Sequence, residues 1–270
     1  MLITSLLAIA PIAAAWGQES RDYGILTDRL RLDAGVVWHK ADGDFTSTRT
    51  GQPTTSVSLD DLGINDDDFG LWISGRFRFL NRWSVQVDHF GFRNDGSSSA
   101  EFDFNFEDLI VPIGAHVTSD VQLGLLVVNL GYDVLQRDRS RVRLGIGTHV
   151  ARLEFDIDAE LSAGGVITPL GEDETDFLAP LPNLYLSGTH LLMDRLAAHL
   201  SAGWMSMSYD DYDGDLWFLR GQLDYRITPR FGIGAGYSFL SADIDRDTGS
   251  KKENYDVQLP GPFLVFSAGF

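Results

Sequence analysis

The chain is 270 residues long, lacks cysteine altogether, and carries 39 Asp and Glu against 21 Lys and Arg, a formal net charge of -18. These figures exclude a disulfide scaffold, a Cys-ligated zinc or iron–sulfur centre and a nucleic-acid binder, whose electrostatic footprint would be basic. With 28 glycines and 11% aromatic residues in a chain that is 44% hydrophobic, the composition fits a β-rich domain better than a helical one.

The chain opens on an uncharged apolar run from Leu2 to Ala15, ending in the small residues Ala15 and Gly17. It reads as a secretory signal peptide over residues 1–17, leaving 18–270 as a single domain of an exported protein. Beyond residue 20 no apolar run reaches helix-spanning length: even 121–135 is broken by Gln122, Asn129 and Asp133.

What recurs instead is alternation with a period of two, the signature of strands with one apolar and one polar face. In 30–40, Leu30, Leu32, Ala34, Val36 and Trp38 oppose Arg31, Asp33 and His39. Segments at 71–80, 82–93 and 120–135 follow. At 142–150, Val142, Leu144, Ile146 and Val150 oppose Arg143 and His149. Further segments lie at 183–193 and 195–208. At 216–228, Trp217, Leu219, Leu223, Tyr225 and Ile227 oppose Arg220, Gln222, Asp224 and Arg226. Segments 230–242 and 259–270 complete ten. Phe90 and Phe92 fall on a polar face and His190 on an apolar one, where bulges or girdle positions are expected.

The connections alternate between two kinds. Short turns fall at Asn81 and Arg82, at 136–139, at Asp194 and Arg195, and at Pro229 and Arg230. Long polar loops are expected at 41–69, 94–119, 158–181 and 245–257, with a shorter one at 209–215. A soluble sandwich has no reason to sort its connections in this way. An antiparallel up-and-down transmembrane β-barrel does, with about ten strands (eight to twelve), short turns and N-terminus in the periplasm, and long loops outside. Two aromatic belts fit the same layout: Phe79, Trp83, Tyr132, Tyr225, Phe231 and Phe270 near one rim, and Trp38, Trp204, Trp217 and Phe239 near the other.

The segment from Tyr255 and Asp256 to Gly261-Pro262-Phe263-Leu264-Val265-Phe266-Ser267-Ala268-Gly269-Phe270 resembles the last strand of Gram-negative outer-membrane β-barrels, of the small proteobacterial type. The resemblance extends in pattern over 25–270. It implies an integral outer-membrane protein in contact with outer-membrane lipid and lipopolysaccharide. Phe270 and Phe266, with Leu264 and Ala268, would be the assembly signal read by the barrel assembly machinery. Pro262 departs from the apolar alternation and leaves open where pairing of that strand begins. The resemblance implies no activity.

The polar faces then point into the lumen. Arg76, Arg78, Asp133, Arg141, Arg143, Arg220, Asp224 and Arg226 are read as an interlocked Arg/Asp network, joined by Arg31, Asp33, Asp88, Asn129, His149, His199 and Gln222. Side chains can fill the interior of a small barrel, so this network is expected to plug it. The function that follows is structural or surface interaction. The alternatives are a small porin-like channel and, behind it, a lipid-modifying enzyme. No Ser-His motif is present and Asp88 and His89 point to opposite faces, so no enzyme and no cofactor are expected. Acidic clusters at Asp60, Asp61, Asp66, Asp67 and Asp68, at Glu172, Asp173, Glu174 and Asp176, and at Asp210, Asp211, Asp213 and Asp215 offer oxygen ligands to divalent cations, although such runs are more often a solvated surface. Asp243, Asp245, Asp247 and Gly249 mimic the start of a calcium loop, but the glycine is one place late and Asn254 holds the twelfth position.

Overall fold

The computed structural model describes residues 24–40, 42–49, 54–58, 67–99, 104–106, 109–163, 166–209, 212–249 and 251–270. The signal-peptide reading over 1–17, and Asp60, Asp61, Asp66, Asp210 and Asp211, lie outside these residues. Among the described residues fifteen strands follow one another. They are β1 (Leu30–Lys40), β2 (Asp42–Arg49), β3 (Thr55–Ser58), β4 (Asp67–Arg78), β5 (Trp83–Ser99), β6 (Phe104–Phe106), β7 (Leu109–Val111) and β8 (His116–Gln136). There follow β9 (Ser140–Ala163), β10 (Val166–Met193), β11 (Leu196–Tyr209), β12 (Tyr212–Arg226), β13 (Phe231–Asp247), β14 (Lys251–Gln258) and β15 (Gly261–Gly269).

Ten of these close on themselves in the order β1, β4, β5, β8, β9, β10, β11, β12, β13, β15, every pair antiparallel. The ring is shut by β1 against β15, from Arg31 opposite Gly269 to Val37 opposite Phe263. Closure leaves no unpaired edge, which hydrocarbon could not solvate. The fold is the ten-stranded antiparallel barrel expected from the alternation.

Along β1 every odd residue from Arg31 to His39 is buried and every even one is exposed. The buried side is the polar one. The largest fully buried side chains include Arg226, His149, Asn129, Asp133 and Asp224, while Ile146, Leu223 and Leu264 stand on the outside. A water-soluble sandwich buries the opposite set. Both aromatic belts are present: Trp83 packs on Tyr132 and Phe231 on Phe266 at the short-turn end, while Trp38 meets Phe69 and Trp217 stacks on Phe239 at the other. No helix among the described residues is long and apolar enough to cross a membrane.

Two expectations need correction and one point left open is answered. The long polar stretches are largely strand, not loop: β9 and β10 stay paired as far as Ala163 opposite Val166, and 245–257 is mostly the β13–β14 hairpin. A barrel strand needs about 9–11 residues to cross a bilayer, so the 24 residues of β9 and 28 of β10 extend well beyond it. With β2 and β14 continuing the ladders of β1 and β15, the extensions form a collar. Secondly, Phe90 needs no bulge. It turns inward in unbroken register and packs on the small apolar layer of Val37, Trp72, Phe263 and Val265, whereas register shifts fall near Leu170, Val134 and Leu192. Thirdly, pairing of β15 begins at Gly261, so Pro262 lies inside the ladder, facing outward opposite Tyr237.

Ile146, opposite Leu130 and Leu184 on the outward apolar face, is 62% exposed. On a soluble protein, Ile146→Arg would be nearly neutral; facing lipid, it should cost about 2–4 kcal/mol. Denaturant titration of barrels folded into lipid vesicles measures this, and a change near zero would show that the apolar face does not meet lipid.

Candidate functional site

Among the described residues most of the buried polar and ionisable groups converge in the lumen, which is built in layers. The short-turn mouth is closed by residues 24–29. Gly24 adopts φ +65°, which lets its carbonyl accept the Thr27 and Asp28 amides and folds the segment into a tight turn. This turn buries Ile25 against Ala197 and Leu191, and places Asp28 2.5 Å from the fully buried Arg226. Arg226 also donates to the Arg230 carbonyl, and Arg78 donates to the carbonyls of Leu26 and Thr27 at 2.8 and 3.2 Å.

Next comes a triad on adjacent strands. Asp133 sits directly opposite Arg143, which donates to it through Nε and Nη2 at 2.8 and 2.7 Å, with Arg141 at 3.4 Å. Gly131 makes room for it, because a Cβ there would lie 2.3 Å from Arg143 Cδ.

The middle of the lumen is crossed by a strut. Arg31 on β1 binds Asp33 at 2.8 Å and reaches over to Asp224 on β12. Two strands separate β1 from β12 around the wall, so this ion pair spans the interior. Asp224 also accepts from Gln222 at 2.7 Å and lies 2.8 Å from His199 Nε2, whose Nδ1 is 2.9 Å from the Thr189 hydroxyl. An Nε2–H donating to Asp224 leaves Nδ1 to accept from Thr189. The connectivity is that of a carboxylate–His–hydroxyl relay, but Arg31 occupies the carboxylate and the group lies inside the lumen. Structurally it is a satisfied polar network.

Above the strut, Arg220 stacks on Trp72, with its guanidinium 4.0 Å from the ring centre and 5.6 Å from that of Phe263. Beyond this layer a cavity of about 90 Å³ is lined by Phe90, Phe218, Asp88, His39 and His149; below it a second of about 70 Å³ is lined by Arg31, Arg76, Gln86 and Ser187. His149 accepts from Asn183 at 2.9 Å, and Asp88 accepts from Gln86 at 2.9 Å.

The eight residues expected to interlock are thus divided. Asp133, Arg141 and Arg143 form one group, while Asp224 joins Arg31, and Arg226 joins Asp28. Arg78 serves backbone carbonyls and Arg220 an aromatic ring. Arg76 lines the lower cavity with no carboxylate within ion-pairing distance among the described residues. Together Arg31, Arg76, Arg78, Arg141, Arg143, Arg220 and Arg226 set seven cations against the five carboxylates of Asp28, Asp33, Asp88, Asp133 and Asp224, an excess of two. Sequence reasoning missed the turn at 24–29, although Ile25-Leu26 followed by Asp28 ahead of a strand is a legible signal. It also missed Trp72, Phe218 and Phe263, because apolar side chains were assigned to the outer face.

Of the acidic clusters, Asp213 and Asp215 lie on β12 directly opposite Asp245 and Asp243. Asn254 donates to both Asp243 and Asp245, and Asp247 accepts the Gly249 amide and binds Lys252 at 2.8 Å. The Lys252 hydrogen bond holds the Asp247 carboxyl below its usual range. These groups stabilise a hairpin tip. Among the described residues no cluster of three or more His, Asp or Glu is arranged to hold a metal ion.

No family model matches the chain, and no characterised protein matches it in sequence. Solved structures do match. The outer-membrane protease OmpT of Escherichia coli superposes with a TM-score of 0.52 at 10% identity, over 89% of this chain and 97% of that one. The translocator domain of the autotransporter NalP from Neisseria meningitidis does so with a TM-score of 0.51 at 13% identity, over 89% and 88%. At such identities the likeness establishes the fold, that of the integral outer-membrane β-barrels.

The Asp28–Arg226 pair gives a direct test. Asp28→Ala leaves Arg226 buried and unpaired, which should cost about 3–5 kcal/mol. Adding Arg226→Met should recover most of that loss in the same denaturant titration; additive losses would mean that the two side chains do not interact.

Proposed function

We propose that this protein is a closed outer-membrane barrel with a structural or surface-interaction role, which presents its collar outside the cell and keeps its short turns and N-terminus in the periplasm. The observation that carries the reading is the pair of cross-lumen contacts, Arg31 with Asp224 and Arg220 with Trp72. They divide the interior into cavities of about 90 and 70 Å³, where a pore needs a continuous water column. Short periplasmic turns and long external segments are the usual arrangement for such barrels. Neither an enzymatic activity nor a cofactor belongs to this reading. Its partners are outer-membrane lipid and lipopolysaccharide, met by the outward apolar face and belts. The assembly machinery is the other partner, engaging β15 through Phe266 and Phe270, both of which stand outward at the closing seam.

In planar bilayers the purified wild type should show no steady conductance. The double variant Arg31→Ala and Arg220→Ala, which removes both crossings, should pass irregular currents. Large, reproducible wild-type conductance would replace this reading with the channel. Orientation is read separately, since the chain has no cysteine of its own. Thr248→Cys at the hairpin tip should react with an impermeant maleimide on intact cells, and Arg137→Cys in a short turn only after permeabilisation. The opposite pattern would invert the assignment.

A further inference from the structure

Arg76 is a lumen cation with no carboxylate within ion-pairing distance among the described residues. It sits directly across the β1–β4 ladder from Arg31, and like charges so placed repel. The carboxylates nearby are taken: Arg31 holds Asp33 and Asp224, and Arg143 and Arg141 hold Asp133. Arg141 Nη1 is itself buried with no acceptor among the described residues. Arg76 lies in the wall between two spaces, the cavity of about 70 Å³ above it and one of about 10 Å³ beside Arg141 and Arg143. A guanidinium does not shed its proton in a protein. Water can satisfy its N–H donors but cannot neutralise it, and a buried charge without a counter-charge is strongly destabilising.

We propose that the lower lumen binds a small inorganic anion of chloride size, held by Arg76 together with Arg31 in the cavity that both line. The rest of the wall is polar, with Ser74, Gln86, Ser187 and Thr189 beside an Asp33 carboxylate that Arg31 already holds. The space is narrow: Trp72 and Arg220 line it above, and the turn at Ile25 and Leu26 lies beyond Arg76 on the other side. A lipid headgroup or a peptide carboxylate carries a chain that this space cannot admit. The anion is a fixed structural counter-ion, a role that does not depend on whether the barrel conducts.

The test is thermal unfolding of the full-length folded barrel in zwitterionic detergent, with sodium chloride exchanged for sodium gluconate at constant ionic strength. Chloride should raise the midpoint saturably by about 2–4 °C, the size expected when a ligand binds only the folded state. Bromide should act likewise. Arg76→Gln should abolish the chloride dependence while remaining at least as stable as wild type in gluconate, and Arg137→Gln in an exposed turn should leave the dependence intact. Equal midpoints for the wild type in both salts, or a full chloride response in Arg76→Gln, would overturn the proposal. Should Arg76→Gln fail to fold, bromide-soaked wild-type crystals decide: anomalous density between Arg76 and Arg31 supports the site, and its absence there refutes it.

Discussion

The seam between β1 and β15 is the contact on which the rest of the structure depends. In hydrocarbon an unpaired N–H or C=O has no solvent to turn to, so a sheet that spans the membrane must return to its first strand. Here the return is made residue by residue from Arg31 opposite Gly269 to Val37 opposite Phe263, and it is extended at the rim where the Arg29 and Leu30 amides donate to the Phe270 carbonyl. The last residue of the chain therefore ties down the first turn of the barrel. Because closure fixes which residues face inward, it also decides that Arg31, Asp33 and Asp224 must find partners in a confined space.

A ten-stranded ring gives that space a width which arginine can bridge. Arg31 reaches Asp224 and Arg220 reaches Trp72, each across the interior. Such contacts differ in consequence from the neighbouring-strand pair of Asp133 and Arg143, which adds only to a ladder already hydrogen-bonded. A cross-lumen strut couples strands that are not neighbours in the ring, so loosening one loosens the other. The N-terminal turn extends this logic to the mouth, where a segment outside the sheet supplies the carboxylate that Arg226 on β12 requires. Interior charge here specifies shape more than it adds stability, since desolvation offsets much of each pair's attraction.

The sequence made the faces legible and left the partners hidden. A period of two says that Asp224 and Arg31 both point inward; it does not say that they meet, because strand tilt and the order of strands around the ring decide which inward residues share a level. The same limit explains Phe90 and Trp72. The alternation puts Phe90 on a polar face, where a bulge or girdle position is expected, and singles out nothing at Trp72, yet the interior of a small barrel also needs filling, and Val37, Trp72, Phe263 and Val265 make an apolar layer within it. The collar was misread for a different reason. Polar, glycine-containing stretches such as 158–181 look like loops by composition, but β9 and β10 pair through them because a hairpin in water can be polar on both faces.

Charge is the feature that joins these parts. The chain carries a net charge of -18, yet its lower lumen holds more arginines than aspartates, so the acidic excess must lie elsewhere. Part of it lies on the collar, where Asp215, Asp243, Asp256 and Asp44 form a row across four successive strands. Like charges directly opposite one another weaken a sheet, and a protein retains them where mobile counter-ions are at hand. Solvent can supply those ions on the outer face of the collar. Inside the barrel it cannot do so freely, and each buried cation must be answered by a fixed group, as Asp28 answers Arg226, or by an ion that stays with the fold.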